Sequence, residues 1–467
     1  MRDPELFTMA FVPSFNLKKE LAKCIKKSEF NMLNNDPNNL PLPLHLKKVI
    51  PNASRQFIEW FVGFTDAEGC FYIQPNNTKT SFQLVFHIEL HIDDIDVLYK
   101  IVEILGVGRV IKIKGRNSAK LYIYKFDDII KVLIPIFKEF PLQTTKYLDF
   151  ISFLEIALIK YPSSSSKRSL KISESDIMNI KKLKENMNSG RSIINKEQEE
   201  LLKNKISLNV GWLMGFIEGE GTFGYKHLVP YFQVAQHKKN LFVLEAIETY
   251  LSNLFEKYFG SASNLKVKVT YTLNKGTGVY SMTITSIDTI YEYLIPLFES
   301  MTFYTRKNLD YLYWVLSVII HKFGYYYLPE GKKIALQISS GTNKYRYSSN
   351  KAHLSKIELP SNESISKLLL QTAPFDLNSG RSHLDLVKEL TISKGGRKGF
   401  TVYIYVQDSS LNIRSGFKEL KGSPFSTYGA GHEAIGIKRN SRVIGRYIDT
   451  GKVYKDKYIF SSIPTRF

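Results

Sequence analysis

Four acids recur in pairs along the chain. Asp66 and Glu68 lie in FVGFTDAEG (61–69), and Glu218 and Glu220 lie in GFIEGEG (215–221), each pair in an apolar or small-residue run that ends on a glycine. Carboxylates brought close repel one another unless a proton or a cation lies between them. A hard divalent ion such as Mg2+ is the natural occupant. With a nucleic acid beside it, such an ion activates water and stabilises the leaving oxygen of a phosphodiester. For a lone acid a solvated helix end is the simpler account; recurrence at equivalent positions favours function.

These acids need helices to carry them. The first stretch reads as a helix from about Arg55 to Glu68, with Gly63 and Ala67 four residues apart on one face; Gly215 and Gly219 repeat that spacing. Small residues so placed let two helix backbones approach closely, so the two motif helices are expected to pack on each other and bring Glu68 and Glu220 together at one end of the seam. Gly69 and Gly221 are expected to stop the helices in the left-handed conformation. The acids then occupy the last turn, where the helix dipole disfavours negative charge.

The repeat extends well beyond the acids. At an offset of 152 residues the two motifs align, and after each come, in the same order, a period-2 stretch (81–91, 231–237), an apolar helical pattern (96–105, 241–251), IPIF or IPLF (134–137, 295–298), and KYLDF or KNLDY (146–150, 307–311). Five elements in one order predict two αββαββα units, duplicated and fused, in an α+β fold. The implied organisation is an N-terminal extension (1–50), a first domain (51–162), a linker with one charged helix (163–207), a second domain (208–350), a connecting region (351–420) and a C-terminal module (421–467).

Composition narrows the partner. The 467 residues suffice for roughly three domains, and 64 basic against 44 acidic residues give a net charge of +20, which favours a polyanion, nucleic acid before a membrane surface. Cys24 and Cys70 are the only cysteines, so a disulfide framework or a cysteine zinc site is not expected. No run reaches the ~18 apolar residues of a membrane span; YLYWVLSVII (311–320) reads as a buried helix. The opening MRDPELF has the shape of neither a secretory signal nor a transit peptide.

Both motifs resemble the LAGLIDADG motif of homing endonucleases and related intron maturases, over most of residues 55–350. The resemblance implies a single-chain pseudo-dimer, most simply a monomer, whose motif helices form the domain seam and whose two antiparallel sheets make a saddle over the major groove of double-stranded DNA. It assigns the catalytic metals to Glu68 and Glu220, basic residues near the scissile phosphates to Lys146 and Lys307, and a solvent-ordering side chain to Gln236. The counterpart of Gln236 is Leu90, a departure that implies unequal cleavage of the two strands or drift toward a maturase. Phe61, Val62 and Thr65 also depart from the usual Leu, Ala and Ile.

Sequence readout is expected from the strands: Tyr72, Gln74, Gln83, His87, Glu89 and His91 in the first half, and Tyr225, Lys226, Tyr231, Gln233 and His237 in the second. Gln suits adenine and Glu suits cytosine N4. The tail, SPFSTYGAGHEAIGIKRNSRVIGRYIDTGKVYKDKYIF (423–460), resembles the small helix-turn-helix modules of the NUMOD type appended to intron-encoded nucleases. A helix around His432–Ile435, a turn at Gly436 and a second helix over roughly Asn440–Ile448 are expected, with Lys438, Arg439, Arg442 and Arg446 facing phosphates; residues 438–457 hold seven basic and two acidic side chains. His432 reads as a helix residue and not a metal ligand. Three activities fit these residues: a Mg2+-dependent endonuclease, a maturase acting on its own intron RNA, and a DNA-binding protein without catalysis. The resemblance and the Lys-, Tyr- and Phe-rich composition point to an organellar, mitochondrial origin.

Overall fold

The computed structural model describes residue 21 and residues 40–76, 81–160, 173–191, 193–260, 263, 265–342, 359–393, 402–408, 416–462 and 464. Parts of the expected N-terminal extension, linker and second domain, namely LKKELAKCIKK (17–27) apart from Leu21, SSSSKRS (163–169) and TNKYRYSSN (342–350) apart from Thr342, lie outside the described residues. The chain divides into two compact units, Met1–Asp376 and Leu377–Phe467. Among the described residues no helix is long and apolar enough to cross a membrane.

The first unit holds both repeats. The first motif helix runs Arg55–Glu68, started by Ser54, whose hydroxyl accepts from Phe57 N; the second runs Val210–Glu220, started by Asn209, whose side chain accepts from Trp212 N. Such N-caps satisfy backbone donors that the first turn leaves unpaired. Strands β1 (Gly69–Pro75), β2 (Phe82–His91), β3 (Arg109–Lys112) and β4 (Ser118–Ile123) form an antiparallel sheet in the order β1-β2-β4-β3. Strands β5 (Gly221–Lys226), β6 (Val229–His237), β7 (Thr270–Asn274) and β8 (Val279–Ile284) repeat it as β5-β6-β8-β7. The crossover helices are Ile95–Leu105 and Leu241–Phe259. The expected α+β fold of two αββαββα repeats is therefore present.

Each half closes with a helix begun at its repeated lysine, Lys146–Lys160 and Lys307–Lys322. Ahead of it, Pro135 and Pro296 lack the N–H that a regular ladder needs, and in both halves one π-helical turn precedes the proline segment (Ile129–Leu133, Ile290–Leu294). Equivalent rings fill the two cores. Phe71 packs on Phe86, Phe137, Phe150 and Phe153 at 5.2–5.7 Å between centroids, and Phe223 packs on Phe232, Phe298, Tyr311 and Trp314 at 5.0–5.9 Å. Aromatic pairs in this range add to the stabilisation from burial.

Several expectations change. Gly69 and Gly221 are extended, with φ of −74° and −73°, and open β1 and β5. They are small because a Cβ would lie 2.9 Å from Thr65 O and 2.7 Å from Ile217 O, so close approach and not a left-handed stop requires glycine. The described part of the linker contains two α-helices, Glu174–Glu185 and Lys196–Lys205, where one was expected, and Ile180, Met187 and Leu202 are buried in the core. The described end of the N-terminal extension is also part of that core, with a short helix (Leu44–Val49) burying Leu46.

In the second unit, β9 (Tyr403–Gln407), β10 (Phe417–Glu419) and β11 (Tyr458–Ser461) form a three-stranded antiparallel sheet in the order β10-β9-β11. A boundary at 420 cuts this sheet, so β9 and β10 belong with the tail. The two tail helices are Tyr428–Ala434 and Val443–Tyr447. The second is shorter than expected: Arg442 is its N-cap residue and only Arg446 lies within it.

Candidate active site and nucleic-acid interface

The seam between the halves is built on missing side chains. A Cβ on Gly63 would lie 1.9 Å from Trp212 O, one on Gly215 2.0 Å from Trp60 O, and one on Gly219 2.2 Å from Ala67 Cβ. The two motif helices thus touch backbone to backbone, as the small-residue spacing predicted. Trp60 and Trp212 close the seam reciprocally. Trp60 Nε1 donates to Glu218 Oε1 and Trp212 Nε1 donates to Asp66 Oδ2, both at 2.8 Å.

This separates the four acids into two kinds. Asp66 also accepts from Gln143 N (2.7 Å), Thr144 N (3.1 Å) and Thr144 Oγ1 (2.7 Å). Glu218 likewise accepts from Tyr304 N (2.9 Å) and Thr305 N (2.7 Å). Burial pushes both carboxyls above the usual range, against the pull of these donors. The first acid of each motif therefore fixes the start of the lysine-bearing helix of its own half and the tryptophan of the other. Sequence reasoning assigned these two acids no separate role. The signal was present: Trp60 and Trp212 stand at the same 152-residue offset as the acids they bind.

The second acids stay at the surface of the seam. Glu68 is exposed and Glu220 half-buried. The Glu68 side chain lies against Gly219, whose Cβ would meet Glu68 Oε1 at 3.3 Å. Burial raises the Glu220 carboxyl; the Gln236 amide hydrogen-bonded to it lowers it, Glu68 raises it, and Lys146 and Lys307 lower it. The structure thus brings Glu68, Glu220, Lys146, Lys307 and Gln236 together. Each lysine also answers the helix-dipole problem. Lys146 Nζ donates to Thr65 O (2.9 Å) and Ala67 O (3.3 Å), and Lys307 Nζ to Ile217 O (3.0 Å), Gly219 O (3.1 Å) and Gly221 O (2.6 Å). A cation on the terminal carbonyls offsets the cost of an acid in the last turn. Burial lowers the Lys146 amine, opposed by Asp66, Glu68 and Glu220.

Residues 61–157 and 213–318 match the model of the LAGLIDADG endonuclease family. The chain belongs to that family. It is 26% identical to the uncharacterized mitochondrial protein RF1 of Saccharomyces cerevisiae, over 92% of this chain and 84% of that one. It is 34% identical to the probable intron-encoded endonuclease Cox1-I1b of Schizosaccharomyces pombe, over 36% of this chain but only 41% of that one. In fold it resembles the meganuclease I-SmaMI bound to uncleaveable DNA, at a TM-score of 0.51 and 20% identity, over 63% of this chain and all of that one.

The LAGLIDADG sheets turn one face to the helices and one outward. Phe82, Leu84, Phe86 and Ile88 are buried, and Tyr72, Gln74 and Gln83 are exposed on the opposite face. Register explains the sharing: Gln74 pairs with Gln83 and Tyr72 with Val85. Lys184 of the linker helix lies over the Tyr72 ring at 5.7 Å. Glu89 is committed within the sheet, 2.8 Å from Lys120 Nζ and accepting from Ser118 Oγ at 3.0 Å, and these partners hold its carboxyl below the usual range. His87 is half-buried beside Tyr122, and burial with the nearby Lys120 lowers it to about 4, so it is neutral at pH 7. His91 and His237 each use Nδ1 to accept from the backbone two residues on, closing equivalent turns.

In the second half Lys226 and His237 are exposed, and Tyr231 and Gln233 are half-buried on the outward face, where Thr283 Oγ1 lies 3.3 Å from Gln233. Tyr225 is a correction. It shares the helix-facing side with Phe223, and its hydroxyl is buried, with its pKa pushed up by that burial. Gly224 takes the outward place, because the Tyr231 ring lies over it: a Cβ there would be 2.4 Å from Tyr231 Cζ. In the tail, Lys438, Arg439, Arg442 and Arg446 are all exposed. His432 is buried; its Nε2 accepts from Ile444 N at 3.1 Å, which leaves Nδ1 to donate to Arg439 O at 3.4 Å. It is a structural link between the two short helices.

Proposed function

We propose that the chain is a site-specific double-strand DNA endonuclease that hydrolyses phosphodiester bonds at the exposed end of the helix seam. One observation carries this reading: Glu68 and Glu220 lie together at the surface end of the seam, Glu68 against Gly219, within electrostatic reach of each other and of Lys146 and Lys307.

The donor set suits a divalent cation. Among the described residues no group of three or more His, Cys, Asp and Glu side chains is placed to hold one. A Mg2+-type site needs only one or two carboxylates, with substrate phosphate and water completing the shell. Glu68 and Glu220 would be the protein ligands. When bound, the metal supplies an activated water and charge for the leaving oxygen. The chain's own residues do the rest. Lys146 and Lys307 hold positive charge beside the incoming phosphates, Gln236 donates to Glu220, and the outward strand faces with the exposed tail cations engage bases and backbone. Since both half-sites come from one chain, a monomer suffices.

A second reading, assistance to splicing of its own intron RNA, is favoured by the unequal half-sites, with Leu90 in the place of Gln236. The likeness to a mitochondrial relative supports action in the mitochondrion. The test is cleavage, with Mg2+, of a DNA library that includes intron-free organellar DNA, with E68Q/E220Q protein as control. A discrete double-strand cut absent from the control is expected. No cut, with tight binding of intron RNA, leaves the splicing role.

A further inference from the structure

The orientation of Gln236 is set by a backbone group in the other half of the molecule. The main-chain N–H of Thr145, one residue ahead of Lys146, donates to Asn240 Oδ1 at 3.1 Å. A backbone N–H can only donate, so the Asn240 oxygen must face it and the Asn240 NH2 must face away. That NH2 donates to Gln236 Oε1 at 2.8 Å. With its oxygen taken, Gln236 turns its own NH2 toward Glu220, the carboxylate it hydrogen-bonds. Asn240 and Gln236 are each 8% exposed, so solvent does not compete for these positions.

The first half keeps the outer link and lacks the inner one. Asp94 occupies the place of Asn240, three residues after His91 as Asn240 is after His237, and its Oδ1 accepts from Arg306 N at 2.8 Å, one residue ahead of Lys307. A carboxylate has no NH2 to pass on. The equivalent registers Gly69–Ile88 and Gly221–Val234 also place Leu90 where Gln236 stands.

We propose that Asn240 is a positioning residue: it aims the Gln236 amide at Glu220 and ties it to the Lys146-bearing helix of the opposite half, so that one of the two half-sites has an oriented amide donor and the other has none. The proposal rests on the endonuclease reading for its effect on cleavage, and on geometry alone for the orientation of Gln236.

The test uses N240D in the full chain. Aspartate keeps the cap on Thr145, as Asp94 does for Arg306, but cannot donate to Gln236. On supercoiled plasmid carrying the target, N240D is expected to slow one strand's cut by about 10- to 100-fold, the usual scale for losing such a supporting contact, and to accumulate nicked circle. DNA affinity should stay unchanged. Equal slowing of both strands, or no slowing, overturns the proposal. A second readout needs no cleavage. In 15N-glutamine-labelled protein, the Gln236 NH2, assigned by its absence in Q236L, should be protected from exchange in the wild type and exposed in N240D. An unprotected Gln236 NH2 in the wild type overturns the proposal whatever the variant does. Wild-type protein that cuts no DNA but protects this amide would refute the endonuclease reading and leave the relay standing.

Discussion

Trp60 reaches across the helix seam to Glu218, its indole N–H 2.8 Å from the carboxylate, and Trp212 makes the same bond to Asp66 in the opposite direction. Each bond crosses between halves, so neither half has a fully satisfied acid without the other. The two halves are thereby linked by the same residues that orient their lysine-bearing helices.

Removing one indole donor should therefore cost more than its ring. In W60F the ring stacked on Phe64 is largely kept, while the buried Glu218 loses a donor. Leaving a buried polar group short costs about 1–3 kcal/mol. Urea denaturation of W60F should show a loss in that range, and W212F a similar one. A change under about 0.5 kcal/mol, the scale of an ordinary surface substitution, would show that Glu218 is satisfied without Trp60.

The two lysines predict an ordered pair of effects. Lys307 serves three terminal carbonyls and is 6% exposed, whereas Lys146 serves two. K307A should lower the melting temperature more than K146A, because more buried acceptors are left unpaired. Both should slow cleavage, since each also removes charge beside Glu68 and Glu220. The reverse order in thermal melts would mean that the carbonyl contacts are not what the lysines stabilise.

Much of this was legible because the chain repeats itself. The first motif helix begins and ends where its cap, its small-residue spacing and its acids place it, and the seam follows from Gly63, Gly215 and Gly219. Other features escaped because one residue type serves several ends. A glycine after a helix suggests a left-handed stop, yet Gly69 and Gly221 are small to clear Thr65 and Ile217. Gly224, needed beneath the Tyr231 ring, sets the alternation that puts Tyr225 inward. The linker helices carry many charges, and their few buried anchors, Ile180 and Leu202, are too sparse to read without knowing what they pack on. The split between structural and surface acids depends on donors 77–158 residues away in sequence.

His87 gives a pH signature. Its folded pKa, lowered by burial and Lys120 to about 4, lies below the ordinary value of 6.5. The unfolded chain thus binds its proton first as pH falls. The stability that His87 contributes is present above pH 6.5, declines between about 6.5 and 4, and levels off below. Because the ring is only partly buried, the full linkage is discounted for screening, to about 1–2 kcal/mol. H87Q should flatten that part of the stability curve measured by denaturant titration at stepped pH. An unchanged slope between pH 6.5 and 4 would place the titration elsewhere.

The tail cations allow a test of position-independent binding. Lys438, Arg439, Arg442 and Arg446 are exposed around a pair of short helices held by His432, a geometry suited to phosphate contact and not to base readout by a long recognition helix. Each phosphate contact contributes about 0.9 to the slope of log affinity against log salt on duplex DNA. Replacing Arg442 and Arg446 with alanine should reduce that slope by about 2 and weaken target and non-target DNA alike. Cleavage position should not move, because the seam and the strand faces are untouched. A variant that loses affinity for the target alone would instead assign base recognition to these two arginines.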